Sequence, residues 1–137
     1  MLGREFLELA RELLALGTLP RHWRAVIIHA YYGLFHECLA AMTRWGLPPP
    51  ARHSVHFQVR NRLIYATDSV LRDIGQKLET LVKDRNAASY DLRGLTMFAT
   101  SFVARDSVQM ATDALALLDG IDADPARRAV AVASIRP

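Results

Sequence analysis

The chain has 137 residues, a single cysteine, a formal net charge of +3 and a hydrophobic content of 51%. This length fits one compact domain, and seven glycines and six prolines among many alanines and leucines favour a helical protein over a strand-rich one. The lone Cys38 excludes an intrachain disulfide and fits a reducing cytoplasm, and so small a charge does not by itself indicate nucleic-acid binding.

The first half of the chain predicts two helices. The first covers residues 4–16 and lacks the unbroken apolar run of a signal peptide. The second covers residues 22–45 and is apolar almost all round, which is typical of a central, buried helix. Its longest apolar run, "AVIIHAYYGLFHECLAAM", contains two histidines and a glutamate, which argue against a membrane span. The segment "GLPPP", residues 46–50, ends it.

The second half predicts a short helix and two long ones. The short helix covers residues 54–66, and Thr67 or Asp68 can cap a long helix that ends near residue 84. A linker over residues 85–94 leads to a last helix over 95–118, which Gly120 ends. The apolar face predicted for that last helix consists of Leu95, Phe98, Phe102, Met110 and Leu117.

These elements predict an all-α protein, an up-and-down bundle of four main helices plus a short extra helix. The bundle is assigned to residues 1–120 and a C-terminal tail to residues 121–137. The tail begins with turn residues and closes with a short alternating run. It is therefore expected to be disordered, or to add a strand or an arm to a neighbouring molecule.

His29, Tyr32 and His36 follow one another at steps of three and four, so they share one face of the second helix. Such residues on a central helix usually satisfy hydrogen bonds in a core or an interface. The alternative is a metal site completed by His53 and His56. His29 and His36 are separated by about 10.5 Å of helical rise, too far to bind one ion together. We therefore predict no metal and no cofactor.

An arginine ends the apolar stripe of the long helix in the segment "LVKDRNAASYDL", residues 81–92. Arg85 lies in register with Leu71, Ile74, Leu78 and Leu81. A guanidinium in the place of a leucine needs a partner subunit, a carboxylate or a phosphate. Asp106, one turn beyond Phe102 on the predicted apolar face of the last helix, makes a structural ion pair the simplest interpretation.

Three segments resemble motifs of small prokaryotic HEPN proteins. "RAVIIHAYYGLFHECLAAM" is similar to the signature helix Ala-Tyr-Tyr-x-x-Phe-His of that family, matched by Ala30, Tyr31, Tyr32, Phe35 and His36. "LVKDRNAASYDL" resembles the later pattern of arginine, often Asn, x, Ala, Asp and Tyr, with Ser89 replacing the Asp. "RHSVHF" resembles the Lys-His-Ser segment between them. The motifs occur in the family's order and cover nearly the whole chain up to Gly120.

The resemblance implies a helical bundle that forms a homodimer in the cytoplasm, without a membrane. It implies a prokaryotic toxin–antitoxin, defence or nucleotide-linked module, with RNA, a nucleotide, an antitoxin or a minimal nucleotidyltransferase as partner. The binding region would be a cleft shared by two subunits, in which Arg85 meets a phosphate or groups across the interface. The other residues expected to line it are His29, Tyr32, His36, Arg93 and Asp106.

Many HEPN proteins are metal-independent ribonucleases with an arginine, a polar neighbour and, after four to six residues, a histidine. Carried over, Arg85 and Asn86 match the first two positions, but Tyr90 occupies the place of the histidine. Cleavage needs a base for the 2′-OH proton and a cation for the phosphate. A tyrosine holds its proton at neutral pH unless a cation such as Arg93 assists. We therefore expect a binding protein with a degraded ribonuclease motif.

Two alternatives remain open at this point. One is a metal-independent endoribonuclease that uses Arg85, Asn86 and Tyr90. The other is a purely structural helical interaction domain, in which Arg85 pairs inside one subunit.

Overall fold

A computed structural model describes residues 2–136, and this range is built from α-helices joined by turns and loops, without a strand. Two 3-10 turns cover Arg52–Ser54 and Thr96–Phe98. The α-helices are α1 Gly3–Leu16, α2 Pro20–Arg44, α3 Val55–Ile64, α4 Ser69–Tyr90, α5 Phe102–Asp122 and α6 Pro125–Ser134. The predicted all-α bundle is confirmed for these residues.

Helix α2 is the central element, because α1, α4 and α5 all pack against it. Pro20 occupies its first turn, where a missing N–H costs nothing. Its length and hydropathy would suffice to cross a membrane, yet 61% of its most apolar window is buried in the bundle. The prediction of a central, buried helix is confirmed.

Two glycines bring α1 into close contact with α2. A Cβ atom on Gly3 would lie 2.7 Å from the carbonyl oxygen of Gly33, so no side chain fits between the helices. The space beside Gly3 is filled by the buried side chain of Glu37, which accepts a hydrogen bond from the Arg4 N–H at 3.1 Å. A carboxylate at the N-terminus of α1 also complements the helix dipole.

The apolar stripe of α4 lies in the core as the sequence predicts. Leu71, Ile74, Leu78 and Leu81 all have a relative exposure of 0%. The predicted end near residue 84 is wrong, because α4 continues to Tyr90 and absorbs most of the expected linker.

A long-range cap explains the extra turns of α4. The guanidinium of Arg24 donates to the carbonyl oxygens of Ala87, Ala88 and Asp91, at 3.3, 3.1 and 2.6 Å. These carbonyls belong to the end of a helix, where intrahelical donors run out. The same guanidinium lies 4.1 Å above the ring of Phe98 and so also fixes the turn that follows.

Replacing Arg24 by alanine is expected to fray the last turn of α4 and to cost about 2 kcal/mol, because hydrogen bonds from a charged group to half-buried carbonyls are lost. Urea unfolding measures the loss. Arg21→Ala removes an exposed arginine of the same helix and serves as the control. Equal stabilities of the two variants would contradict the capping role.

Helix α5 begins later and ends later than predicted, at Phe102 and Asp122, and it passes through Gly120. The predicted apolar face is wrong at Phe102, which is 72% exposed, whereas Phe98 is buried and Leu95, Met110 and Leu117 pack partly buried against the core. The buried face of α5 itself combines small residues with larger apolar ones. Its members are Ala104, Ser107, Val108, Ala111, Ala114, Leu115, Leu118 and Ile121. Small residues let α5 lie close to α2, a packing that a search for large side chains does not detect.

The tail is helical, so the expected disorder or strand is wrong for residues 121–136. Asp124 accepts hydrogen bonds from the N–H groups of Ala126 and Arg127 and caps α6, which packs against α5. The guanidinium of Arg127 then pairs with Asp68 at 2.6 Å. The predicted boundary at residue 120 falls inside α5.

Asp68 joins two elements, because it also caps α4 by accepting from the N–H groups of Val70 and Leu71. The hydrogen bond from Arg127 lowers the pKa of Asp68 below its ordinary value. The ionised carboxylate therefore stabilises the fold above about pH 4, and this stabilisation is lost as the pH falls through the lowered pKa.

The Asp68→Asn variant is expected to lose about 1 to 2 kcal/mol at pH 7 and to show a weaker loss of stability on acidification than the wild type. Urea unfolding at pH 7 and at about pH 3 measures both effects. Asp113→Asn, at an exposed position of α5, is the control. An unchanged acid dependence in Asp68→Asn would contradict the prediction.

Candidate functional site

The last turns of α4 place Arg85 against the rings of three tyrosines. Its guanidinium carbon lies 5.6, 5.2 and 5.6 Å from the ring centres of Tyr31, Tyr32 and Tyr90. The guanidinium donates to the hydroxyl of Tyr32 at 2.5 Å and to the side-chain oxygen of Asn86 at 2.9 Å. These five residues are called the Arg85 cluster below.

Arg85 lacks the carboxylate that the ion-pair interpretation requires. Within residues 2–136, no carboxylate oxygen lies within 4.0 Å of its guanidinium. Its Nε atom is buried and has no hydrogen-bond partner in the same range. The protonated guanidinium therefore lies among aromatic rings and has N–H donors that no protein group in this range accepts.

The histidine face of α2 adjoins this cluster, as the spacing predicts. The ring of His36 stacks on Tyr32 at 6.0 Å and on Phe6 of α1 at 5.3 Å. Phe6 also stacks against His29 at 6.1 Å. The structure therefore brings together His29, Tyr32, His36 and Arg85, and it adds Phe6, which the sequence did not indicate.

A further histidine reaches the cluster from α3. The Nδ1 atom of His56 lies 2.5 Å from the hydroxyl of Tyr31, and its ring stacks on Phe35 at 4.0 Å. The edge of the same ring faces Tyr32 at 6.4 Å. The sequence pattern indicates His56 only as a candidate metal ligand, although it lies in the "RHSVHF" segment that resembles a family motif.

Burial sets the protonation of these groups. Burial lowers the pKa of His29, His36 and His56, and the charges of Arg85 and Arg60 lower that of His56 further. The imidazoles are consequently neutral at pH 7. Burial also raises the pKa of Tyr31 to about 12, so its hydroxyl keeps its proton.

Two predicted site residues lie elsewhere. The Arg93 side chain is 81% exposed and pairs with Asp91 at 2.5 Å, in the loop after α4. Asp106 is exposed on α5, because the buried face of that helix is not the predicted one. Its charge acts on Asp84, whose pKa is raised first by burial and then by Asp106. The predicted ion pair between Arg85 and an aspartate of α5 is wrong.

Metal ligation finds no support in the side-chain arrangement. Over the described range, no group of three His, Cys, Asp or Glu side chains converges on a common point. His56 instead uses its Nδ1 atom for Tyr31, and His53 lies exposed in the turn before α3. The chemistry available is the binding of an anion by Arg85 beside neutral imidazoles and aromatic faces.

No family model matches the chain, and neither the curated proteins nor the solved structures gave a match. The function of the protein must therefore be inferred from the chemistry of the Arg85 cluster and its neighbouring histidines.

Proposed function

We propose that the protein is a HEPN-like homodimer that binds single-stranded RNA, with Arg85 contacting a phosphate. The observation that supports this most strongly is the half-buried guanidinium with an unpaired Nε and no carboxylate within 4.0 Å in residues 2–136. A buried cation without a counter-ion is unfavourable unless a ligand supplies the negative charge.

The donor count suits a phosphate. A guanidinium has five N–H donors in a planar fork, and Arg85 uses two of its nitrogens for Tyr32 and Asn86. One N–H group on each terminal nitrogen has no acceptor within residues 2–136, and this pair can form two parallel hydrogen bonds to phosphate oxygens. The neighbouring rings shield this contact from water and strengthen it.

Stacking explains why RNA is preferred over a free phosphate. Tyr90 is 72% exposed and its ring adjoins the guanidinium at 5.6 Å. Unpaired bases stack on exposed aromatic rings, so a nucleotide held at Arg85 could place its base on Tyr90. This assignment makes Tyr90 a binding residue and not a base.

The proposed dimer uses the same face of the protein, and the proposed cellular module rests on the resemblance to HEPN motifs. The half-buried Phe6 and His36 adjoin Tyr32, and His29 stacks on Phe6. A second copy laid on these residues would turn the Arg85 cluster into a cleft shared by two subunits. An antitoxin or a minimal nucleotidyltransferase would engage the dimer in a prokaryotic toxin–antitoxin, defence or nucleotide-linked system, in the cytoplasm.

The test is the fluorescence anisotropy of a labelled single-stranded RNA titrated with the full chain, in the presence of EDTA and over a series of salt concentrations. The logarithm of the binding constant should fall linearly with the logarithm of the salt concentration, because salt screens the phosphate contacts. Duplex DNA should compete poorly with the single-stranded RNA. Sedimentation of the same sample should show a dimer. Unchanged anisotropy at low salt would overturn the proposal and leave the purely structural bundle.

A second candidate is a metal-independent endoribonuclease, and the neutral histidines specifically favour it. His36 and His56 contact Tyr32 and Tyr31, and can supply the base that the motif lacks after Arg85. The 2′-oxygen would bond to phosphorus while the bond to the 5′-oxygen breaks. The imidazole would take the 2′-OH proton, and water would protonate the 5′-oxygen, leaving a 2′,3′-cyclic phosphate.

The two candidates differ in a single assay. If RNA is cleaved in EDTA, the His36→Gln and His56→Gln variants identify the base, since they should lose cleavage and keep RNA binding. Tyr90→Phe tests the catalytic set expected from the sequence motif, in which Arg85, Asn86 and Tyr90 act together. If the wild type binds RNA and the RNA stays intact, the result supports a binding protein with a degraded ribonuclease motif.

A further inference from the structure

A second candidate binding region lies on the other side of α3. Two adjoining cavities of about 350 and 430 Å³ open there, and both are lined by Gln58, Arg62 and Arg136. Asn61 and Tyr65 complete the first cavity, and the second is completed by Leu47, Pro48, Pro49 and Ile135. This region, called the α3 cleft below, shares no lining residue with the Arg85 cluster.

Hydrogen bonds fix the walls of the α3 cleft. The guanidinium of Arg62 donates to the carbonyl oxygen of Pro48 at 2.6 Å and holds the proline segment against α3. The N–H of Thr67 donates to the carbonyl oxygen of Ser134 at 3.2 Å, which fixes the end of α6 that carries Ile135. The cleft is therefore formed before any ligand arrives, which limits the entropic cost of binding.

The lining combines cations with an aromatic ring. It includes two arginines and no carboxylate among the residues named for both cavities. Among residues 2–136, one terminal nitrogen of Arg62 has the sulfur of Met42 as its sole hydrogen-bond acceptor, at 4.0 Å, so it can donate to a stronger acceptor. The side chain of Tyr65 is 65% exposed at the cleft, and Leu47 and Ile135 add apolar surface.

We propose that the α3 cleft binds a small aromatic anion, in which a planar ring is joined to a phosphate or a carboxylate. The ring packs on Tyr65 in the first cavity, and the anion binds to Arg62 and Arg136, which line both cavities. The volume suits a compact ligand, because small-molecule sites begin at about 300 Å³. This site is independent of RNA binding at Arg85.

The test uses phenyl phosphate, benzoate, inorganic phosphate and benzyl alcohol as probes, titrated separately into the ¹⁵N-labelled full chain. At least one of the two aromatic anions should shift the amide signals of residues 58–65 with a Kd of about 1 mM or tighter. Phosphate alone and benzyl alcohol should each bind at least about tenfold more weakly. The better aromatic anion distinguishes a phosphate ligand from a carboxylate ligand.

Variants then separate this site from nonspecific attraction. Tyr65→Ala should reduce the affinity for the aromatic anion about tenfold and leave the affinity for inorganic phosphate unchanged, since only the ring contact is lost. Arg136→Gln should reduce the affinity for both the aromatic anion and inorganic phosphate. Phe57→Ala, at an exposed aromatic position of α3 outside the cleft lining, is the control and should change neither affinity. Absence of binding by both aromatic anions, or an unchanged affinity in Tyr65→Ala, would overturn the proposal.

Discussion

Replacing Gly75 by valine is expected to destabilise the fold by about 2 kcal/mol or more. Gly75 is buried in α4, where a Cβ atom would lie 2.9 Å from the backbone nitrogen of Ile64 and 2.9 Å from the Cβ of Leu63. A backbone atom cannot rotate away, so α3 must move. Valine has a better helix propensity than glycine, but the gain is below about 1 kcal/mol and does not offset the overlap.

Thermal unfolding measures this effect, and a decrease in Tm of roughly 10 °C is expected for a domain of this size. Gly120→Val is the matched control, because nothing lies within 4 Å of a Cβ atom at Gly120 in α5. That variant should unfold close to the wild type. Equal Tm values for the two variants would show that α3 and α4 do not approach as closely as described.

Removing the guanidinium of Arg85 is expected to reduce RNA affinity at least about tenfold, or about 1.4 kcal/mol. Arg85→Ala deletes both the charge and the hydrogen-bond fork. Arg85→Lys keeps the charge but loses the fork and the planar contact with the tyrosine rings, so it should restore only part of the affinity. The slope of log K against log salt should decrease by about one in Arg85→Ala.

Arg105→Ala controls for the loss of a positive charge. Arg105 is exposed on α5 and donates to Ser101, one turn earlier, so its removal lowers the net charge without touching the Arg85 cluster. It should change RNA affinity much less than Arg85→Ala does. Similar losses in both variants would mean that RNA is attracted by overall charge. Thermal unfolding checks that Arg85→Ala, which leaves the Tyr32 hydroxyl without its donor, remains folded.

Periodicity in the sequence was sufficient for the two helices with large apolar side chains. Helix α2 and the stripe of α4 from Leu71 to Leu81 lie in the core as predicted, because leucine and isoleucine at helical spacing must be covered. The same rule was less accurate for α5, where Met110 and Leu117 pack against the core but Phe102 is exposed and the buried Ala104, Ala111 and Ala114 were missed. Small residues indicate close helix contact, which hydrophobicity alone does not reveal.

Long-range contacts account for the other errors. The last turns of α4 depend on Arg24, which lies more than sixty residues earlier in the chain. The pair of Arg127 with Asp68 likewise ties α6 to α4 across the chain. Helix α6 also has a local start signal, the N-cap Asp124 followed by Pro125, which the prediction of a turn-rich tail did not use.

The sequence predicted which site residues share a face of one helix, but not which helices contribute to the same site. The spacing on α2 grouped His29, Tyr32 and His36, and the register of α4 singled out Arg85. The contributions of Phe6 from α1 and His56 from α3 require the packing of separate helices, which the sequence alone does not give. Asp106 was misplaced because its predicted face rested on Phe102, which is exposed.

The central claim is that Arg85 binds an RNA phosphate through N–H groups left free by the protein. The most direct measurement is the NMR signal of the Arg85 Nε–H in ¹⁵N-arginine-labelled protein, assigned with Arg85→Lys and followed as single-stranded RNA is added. The buried Nε shares one delocalised guanidinium with the terminal nitrogens, so a phosphate bound to those nitrogens changes the Nε–H signal, and we predict a shift that saturates with RNA binding. An unchanged Arg85 signal, with RNA bound and other arginine signals shifted, would contradict the claim.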